Sequence, residues 1–374
     1  MIRAREREAA LGVAEVRGRA GWMSLRAEWN GLAEAARAPV FLRHEFLSTW
    51  LDNFAAGETW RIFLVRGPDG VLHAGLPLVQ RRARIMGVPV TELAGAANVH
   101  SCRFDLLCRP GIEQGVAEAL DTRLAGERWD VLRLPDVPEN GAAQRLLEVA
   151  AARGAPVGRW RSLESPWFSL PGTWEALEAT LDARFRANCR RRRRKLAGHG
   201  ELQLQRESGG PALDSVLEEG FALEASGWKG RGGTAMAQDR STRGFYSELA
   251  RVAAERGWLS LYVLRVQGRA VAFHYGLVHD GRYLLLKPAY DESLGACSPG
   301  QLLVEDVARD GISRGWSTFD FLGPDMPWKR DWTQERLAHD WLYVFRDTAP
   351  GRALAAAKFR LIPAVREVVS RWKR

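Results

Sequence analysis

The chain has 374 residues, 46% of them hydrophobic, enough apolar material for a sizeable core and, by length, for about two domains. Its net charge of +9 and pI near 9.8 attract anions of every kind, whether nucleic acid, phosphorylated cofactor or lipid headgroup, without choosing among them. No apolar run approaches the roughly 20 residues of a membrane span, the opening MIRAREREAALGVAEVRG lacks a signal-peptide core, and Cys102, Cys108, Cys189 and Cys297 show neither a CxxC pair nor zinc-ligand spacing; a cytoplasmic protein without a metal is expected.

In chain order, WRIFLVRGPDGVLHAGLPLV at 60–79 predicts a strand, a Gly-rich turn and a second strand. Pro110-Gly111 announces a helix, and ERWDVLRLPDVP at 127–138 gives a short strand after Trp129 ending in Pro-Asp-x-Pro. A Pro-bounded extended piece at 162–174 marks a boundary near residue 170, with Thr173 as an N-cap. Beyond it the patterns predict helices at 173–197, 211–226 and 240–257, strands at 258–267, 269–279 and 282–290, a helix at 299–315, and strands at 316–322 and 337–346. The first plan returns here: WLSLYVLRVQGRAVAFHYGLV repeats the hairpin, Pro299-Gly300 again opens a helix, and RGWSTFDFLGPDMP repeats the Pro-Asp-x-Pro strand. The repetition predicts a duplicated unit of mixed α/β sheet covered by helices.

Several stretches carry candidate chemistry. Pro288, inside the apolar strand YLLLKPAYD, removes a ladder donor and marks a place where the sheet opens. The loop after it runs into a helix start at Ser298-Pro299-Gly300-Gln301, which suits a phosphate or pyrophosphate, Gly295 and Gly300 allowing close approach; an ordinary β-to-α turn explains the same residues. In STFDFLG, Phe319 and Phe321 share one face and Thr318 and Asp320 the other. Asp320 needs a partner there, either an arginine or an amine that it orients or deprotonates. His274 shares a face with Ala272 and Gly276, leaving room for a ligand chain, although a hydrogen-bonded core histidine fits too. Tyr290 and Asp291 close the strand beside the phosphate-type loop. The Gly-rich stretch 224–236, with Trp228, Lys229 and Arg231, reads as a mobile binding loop, although a helix C-cap followed by a surface loop explains the same residues.

The run FRANCRRRRRKLAGHG at 185–200 is not uniform. On a helical projection begun at Trp174, Arg190 and Arg194 face solvent, while Arg192 falls in the apolar stripe with Leu177, Leu181, Phe185 and Leu196 and should pair with a carboxylate. The segment 350–374 is basic and carries Ile362, Val365, Val369 and Trp372 at helical spacing, compatible with docking on its own domain or with a peripheral membrane contact at the inner membrane face.

GWKGRGG at 227–233, KPAYDESLGACSPGQLL at 287–303 and FDFLGPDMPWKRDW at 319–332, in that order, resemble the GNAT acyltransferase superfamily. Within it they resemble the acetyltransferases related to cellulose-biosynthesis CelD proteins and, more distantly, the Fem-type peptidyltransferases. The resemblance implies two tandem GNAT-like α/β domains, each a mixed, mostly antiparallel sheet flanked by helices: a degenerate one over 1–170, a catalytic one over 171–348, then a basic amphipathic helix over 349–374. It implies an N-acyltransferase moving an acyl group from acyl-CoA, acetyl-CoA first, to a small-molecule, peptide or sugar amine, with no metal. Asp320 would orient the acceptor or act as base, with His274 as rival and Tyr290 as acid. Lys287, Asp291, Ser298, Gly300 and Gln301 would hold the donor, and Trp228, Lys229, Arg192 and Lys329 would hold acceptor or donor. The Gly-rich signature Q/R-x-x-G-x-G/A of many GNAT enzymes is absent, so the alternatives are an aminoacyl-tRNA-dependent Fem-like transferase, with tRNA as partner, and a non-catalytic membrane- or partner-binding scaffold.

Overall fold

The computed structural model describes residues 11–227, 236–237 and 239–361. Two compact units divide the chain: Met1–Ser162 with Ala338–Arg374, and Leu163–Leu337. Each is a mixed, mostly antiparallel sheet flanked by helices.

The first unit runs β1 (Gly12–Arg17), α1 (Gly18–Ser24), α2 (Arg26–Ala35), α3 (His44–Phe54), β2 (Thr59–Arg66), β3 (Leu72–Ile85), β4 (Val88–Gly95), β5 (Leu107–Cys108), α4 (Glu113–Ala125), β6 (Val131–Pro138) and α5 (Ala143–Ala152). Its sheet order is β1-β2-β3-β4-β6, with β5 on β3. The pairs are antiparallel except β4–β6, which is parallel and therefore needs the crossover helix α4. Strand β7 (Val157–Ser169) carries the chain into the second unit.

There follow α6 (Trp174–Thr180), α7 (Ala183–Ala197), β8 (Leu202–Glu207), α8 (Leu213–Ser226), α9 (Arg240–Glu255), β9 (Leu259–Val266), β10 (Arg269–His279), β11 (Arg282–Tyr290), α10 (Pro299–Ser313) and β12 (Thr318–Asp320). The order β8-β9-β10-β11-β12, antiparallel except for the parallel β11–β12 pair, repeats the plan of the first unit, with α10 as the crossover. The end of β7 pairs antiparallel with β12, closing this sheet. Strand β13 (Arg336–Phe345) pairs antiparallel with β6 and closes the first. Helix α11 (Ala349–Ala356), capped by Thr348, leads into a π-type turn at Ala357–Leu361 whose Phe359 ring fills the space over Gly158. The rest of the expected C-terminal helix, from Ile362 on, lies outside the described residues. No helix among the described residues is long and apolar enough to cross a membrane.

Alternation along the strands gives the second sheet two distinct faces. Tyr262, Tyr283, Leu285 and Phe319 pack with Leu302, Leu303 and Val307 of α10 and with Leu181, Phe185 and Leu196. On the other face the Phe273 ring lies against Gly220 of α8, and the Tyr275 hydroxyl donates to the Tyr246 carbonyl of α9 at 2.9 Å.

The expected helix 173–197 is two helices. Leu181 is extended (ψ 148°), and Asp182 starts α7 afresh by accepting from the N–H groups of Arg184 and Phe185.

Candidate functional site

The functional geometry of the second unit begins where β11 and β12 part. Their parallel pairing ends at Leu284 with Asp320, yet β11 continues to Tyr290 while β12 stops. Apart from Leu286, residues 285–290 thus stay paired with β10 and present their other edge to a wedge-shaped opening. A register shift against Tyr275 and Gly276 makes Leu286 the extra residue of a β-bulge. Pro288 lies beyond the last β11–β12 pair, so its missing N–H costs no bond to β12; the sheet opens after Leu284, earlier than Pro288 itself suggests.

The wedge leads into the turn Glu292–Cys297 and then α10. Asp291 caps that turn, accepting from the N–H and Oγ of Ser293 and pairing with Arg269 at 2.9 Å. Burial pushes its carboxyl up, but the Ser293 bonds and Arg269 outweigh this and hold it below the usual range. Asp291 therefore shapes the loop, and its anionic, already engaged side chain is a poor pyrophosphate ligand. Ser298 occupies the left-handed region (φ 47°) and gives α10 no side-chain cap, leaving the positive end of a 15-residue helix for another acceptor. The Tyr290 ring stands over Gly300, 3.5 Å from where a Cβ would be.

Gln301 is engaged by other parts of the fold. Its amide donates to the Trp328 carbonyl at 2.9 Å and to Asp331, and its Oε1 accepts from the Trp332 indole, so its side chain ties α10 to the 327–332 segment instead of reaching a donor. Lys329 is likewise buried and structural: its ammonium donates to the carbonyls of Leu322 at 2.7 Å and Pro324 at 2.8 Å. Lys287 lies half-buried with its ammonium 5.6 Å from the centre of the Tyr246 ring.

His274 and Asp320 lie on opposite faces. The His274 ring is 6.5 Å from the rings of Tyr283 and Phe319, on the α10 side, and the space at Gly276 is filled by the Tyr283 ring, 2.4 Å from where a Cβ would be. The room expected beside His274 is thus taken by protein. Asp320 alternates with Phe319 to the α8–α9 side, the side of Lys287 and Tyr275. It is buried, and its Oδ1 accepts from the Leu322 N–H at 2.9 Å. Trp228 and Lys229 lie outside the described residues.

In the arginine run the inward residue paired with carboxylates of α10 is Arg193, not Arg192, while Arg190 pairs on the exposed side with Glu178. Arg193 bonds Asp306 at 2.7 Å and Glu305 at 3.3 Å, both on α10. Arg192 is half-buried, near enough to Asp331 to draw that carboxyl down against the upward push of burial. A projection carried from Trp174 ignores the break at Asp182. Counted within α7, Phe185, Cys189 and Leu196 form the buried stripe, Arg192 and Arg193 flank it, and α10 supplies its carboxylates on Arg193's flank. Burial pushes the Cys189 thiol up to about 11, which keeps it protonated and inert.

The sequence reading missed the Leu286 bulge and the grip on Leu322, which sits at φ 49°. The Gly-Pro-Asp of the following turn hints at the second; only pairing register reveals the first.

Among the described residues of the first unit the wedge is not repeated. There β4 ends one residue after its last pair with β6, Ala94 with Arg133, and the Phe104 ring fills the space at Gly95, 2.9 Å from where a Cβ would be. The Phe104 N–H donates to the Asp136 carbonyl, closing the gap.

Comparison with known proteins agrees with this geometry. A family model described as an acetyltransferase (GNAT) domain matches residues 183–330, the stretch that contains the wedge and α10. Among solved structures, FemX superposes with a TM-score of 0.56 at 10% identity over 86% of this chain and 96% of its own. L-PGS from Bacillus licheniformis superposes with a TM-score of 0.54 at 12% identity over 89% of this chain and 96% of its own. At such identities the likeness is one of fold. No curated protein matches the chain. The second unit thus carries a stretch that matches a GNAT acetyltransferase domain model, and the chain shares the mixed, mostly antiparallel α/β fold of FemX and L-PGS.

Proposed function

We propose that the second unit is an acyl-CoA-dependent N-acyltransferase, with acetyl-CoA as donor and a small-molecule, peptide or sugar amine as acceptor. The observation that carries this reading is the wedge: β11 outruns β12 through residues 285–290 and delivers the chain to the start of α10. An extended pantetheine arm can hydrogen-bond backbone groups along an open strand edge, and a pyrophosphate suits a helix start lacking a side-chain cap. The motif set GWKGRGG, KPAYDESLGACSPGQLL and FDFLGPDMPWKRDW supports a CelD-like member of this class.

In the reaction the amine nitrogen attacks the thioester carbonyl carbon and forms the new C–N bond, while a backbone N–H holds the oxyanion. The C–S bond then breaks, the amine's surplus proton passes to a base, and the CoA thiolate takes up a proton, giving amide and free thiol. We assign Asp320 to orient or deprotonate the amine, because it shares its face with Lys287 beside the wedge. Tyr290, beside Gly300 on the other face, is assigned to donor contact, and His274 is set aside because Tyr283 fills the space next to it.

An aminoacyl-tRNA donor is the second reading, favoured by the exposed Arg184, Arg191, Arg194 and Lys195 along α7. Native mass spectrometry of the purified chain, followed by calorimetry with acetyl-CoA, tests both. A retained CoA species or a saturable heat with CoA esters supports the first reading, steeply salt-dependent tRNA binding supports the second, and the absence of each overturns its reading.

A further inference from the structure

A half-open pocket of about 70 Å³ lies between α6, α7 and the later turns of α10, well below the roughly 300–1,000 Å³ of drug-sized ligand sites and so suited to a small molecule. None of its lining residues belongs to β11, to β12 or to the first turn of α10, so it is distinct from the wedge. Most of its charges are already matched. Arg190 pairs with Glu178 at 3.2 Å; Arg309 pairs with Glu305 at 3.0 Å and lies 3.8 Å from the centre of the Trp174 ring.

Two donors are not matched. The Arg186 Nε and the Trp174 Nε1, both lining this pocket and both shielded from solvent, have no acceptor among the described residues. A shielded donor left unmet costs about 1–3 kcal/mol, so two in one pocket point to an acceptor that is not part of the fold. Three arginines against two glutamates leave the lining net positive, and a guanidinium edge matches a carboxylate in plane and in spacing. Leu181, Phe185 and Trp332 supply apolar wall for the remainder of the ligand.

We propose that this pocket is a second binding site, for a small carboxylate with an aryl or short alkyl body, its carboxylate oxygens accepting from Arg186 and Trp174. The test is calorimetry on the full chain with benzoate and hexanoate, using benzyl alcohol, hexanol and inorganic phosphate as controls. One carboxylate should bind per chain, at least tenfold more tightly than its neutral counterpart or phosphate, unaffected by saturating CoA and whether or not CoA itself binds. Arg186→Gln should weaken it at least tenfold and Trp174→Phe about threefold, with melting temperatures of the variants read beside each titration. Should Arg186→Gln fail to fold, the indole N–H resonance of Trp174 in the native protein decides instead, since it should move downfield and saturate with benzoate. No binding, equal binding of alcohols or phosphate, or an unmoved indole resonance would each overturn the proposal.

Discussion

Asp320 and Lys329 hold the same residue from its two sides. The Asp320 carboxylate accepts from the Leu322 N–H at 2.9 Å, and the Lys329 ammonium donates to the Leu322 carbonyl at 2.7 Å. Between them Leu322 is kept at φ 49°, a conformation that costs a non-glycine residue of order 1 kcal/mol and persists only where its surroundings enforce it. The charge of Asp320 and its hydrogen bond can therefore be separated by mutation. Asp320→Asn keeps an oxygen for Leu322 and should leave the melting temperature almost unchanged while lowering kcat at least about a hundredfold. Thermal unfolding beside steady-state kinetics checks this; an unchanged kcat would reduce Asp320 to a structural role.

Lys329→Met leaves the carbonyls of Leu322 and Pro324 without their buried donor. It should cost about 2–4 kcal/mol of stability, measured by denaturant unfolding, whether or not the enzyme reading holds.

The arginine run gives a prediction by contrast. Arg193→Ala strips Asp306 and Glu305 of their partner on α7 and should destabilise the protein by about 1–3 kcal/mol. Arg194→Ala, on an exposed position, should stay within about 0.5 kcal/mol. Equal effects in denaturant melts would contradict the assignment of the paired arginine.

Gly300→Leu tests the donor end of the wedge. A leucine there is a better helix former than glycine but projects towards the Tyr290 ring, narrowing the approach to the start of α10. The KM for acetyl-CoA should rise about tenfold with kcat within a factor of about three, and the melting temperature should hold.

The first unit carries a pH signal of its own. Burial pushes the Asp105 carboxyl up to about 6 from an ordinary 3.8, although the N–H groups of Leu106, Ala142 and Ala143 all donate to it. Between those values the folded state holds the proton more tightly than the unfolded chain. The stabilisation is complete below about 3.8 and is lost as pH rises through about 6. Asp105→Asn should flatten that slope, so the difference between native and variant unfolding free energies should change between pH 4 and 7 (roughly the titration window) and level off above it.

What the sequence made legible is what neighbours along the chain decide. The meander β9-β10-β11 follows from period-two apolar runs broken at Gln267-Gly268 and Asp280-Gly281, whose positive φ at both positions suits tight hairpins. Helix α10 follows from Pro299 at its first position. The aspartate that restarts α7 was equally readable as an N-cap, and passing over it misplaced the inward arginine. Strand β8, LQLQRE, was missed because four of its six residues are polar and its pairing partner, β9, lies more than fifty residues on. Lys329 looked like a ligand-binding cation because nothing local shows that the carbonyls of Leu322 and Pro324 would turn towards it.

The last strand has a consequence for how the molecule is made. The first sheet is closed on its β6 edge by β13, whose residues emerge from the ribosome some two hundred positions after β6 itself. During synthesis β6 must therefore wait, with Leu134 and Val137 short of their final neighbours, while the whole second unit is translated. A nascent chain halted before residue 338 should expose that edge to chaperones or to other half-made copies, and completion of β13 is the event that retires it.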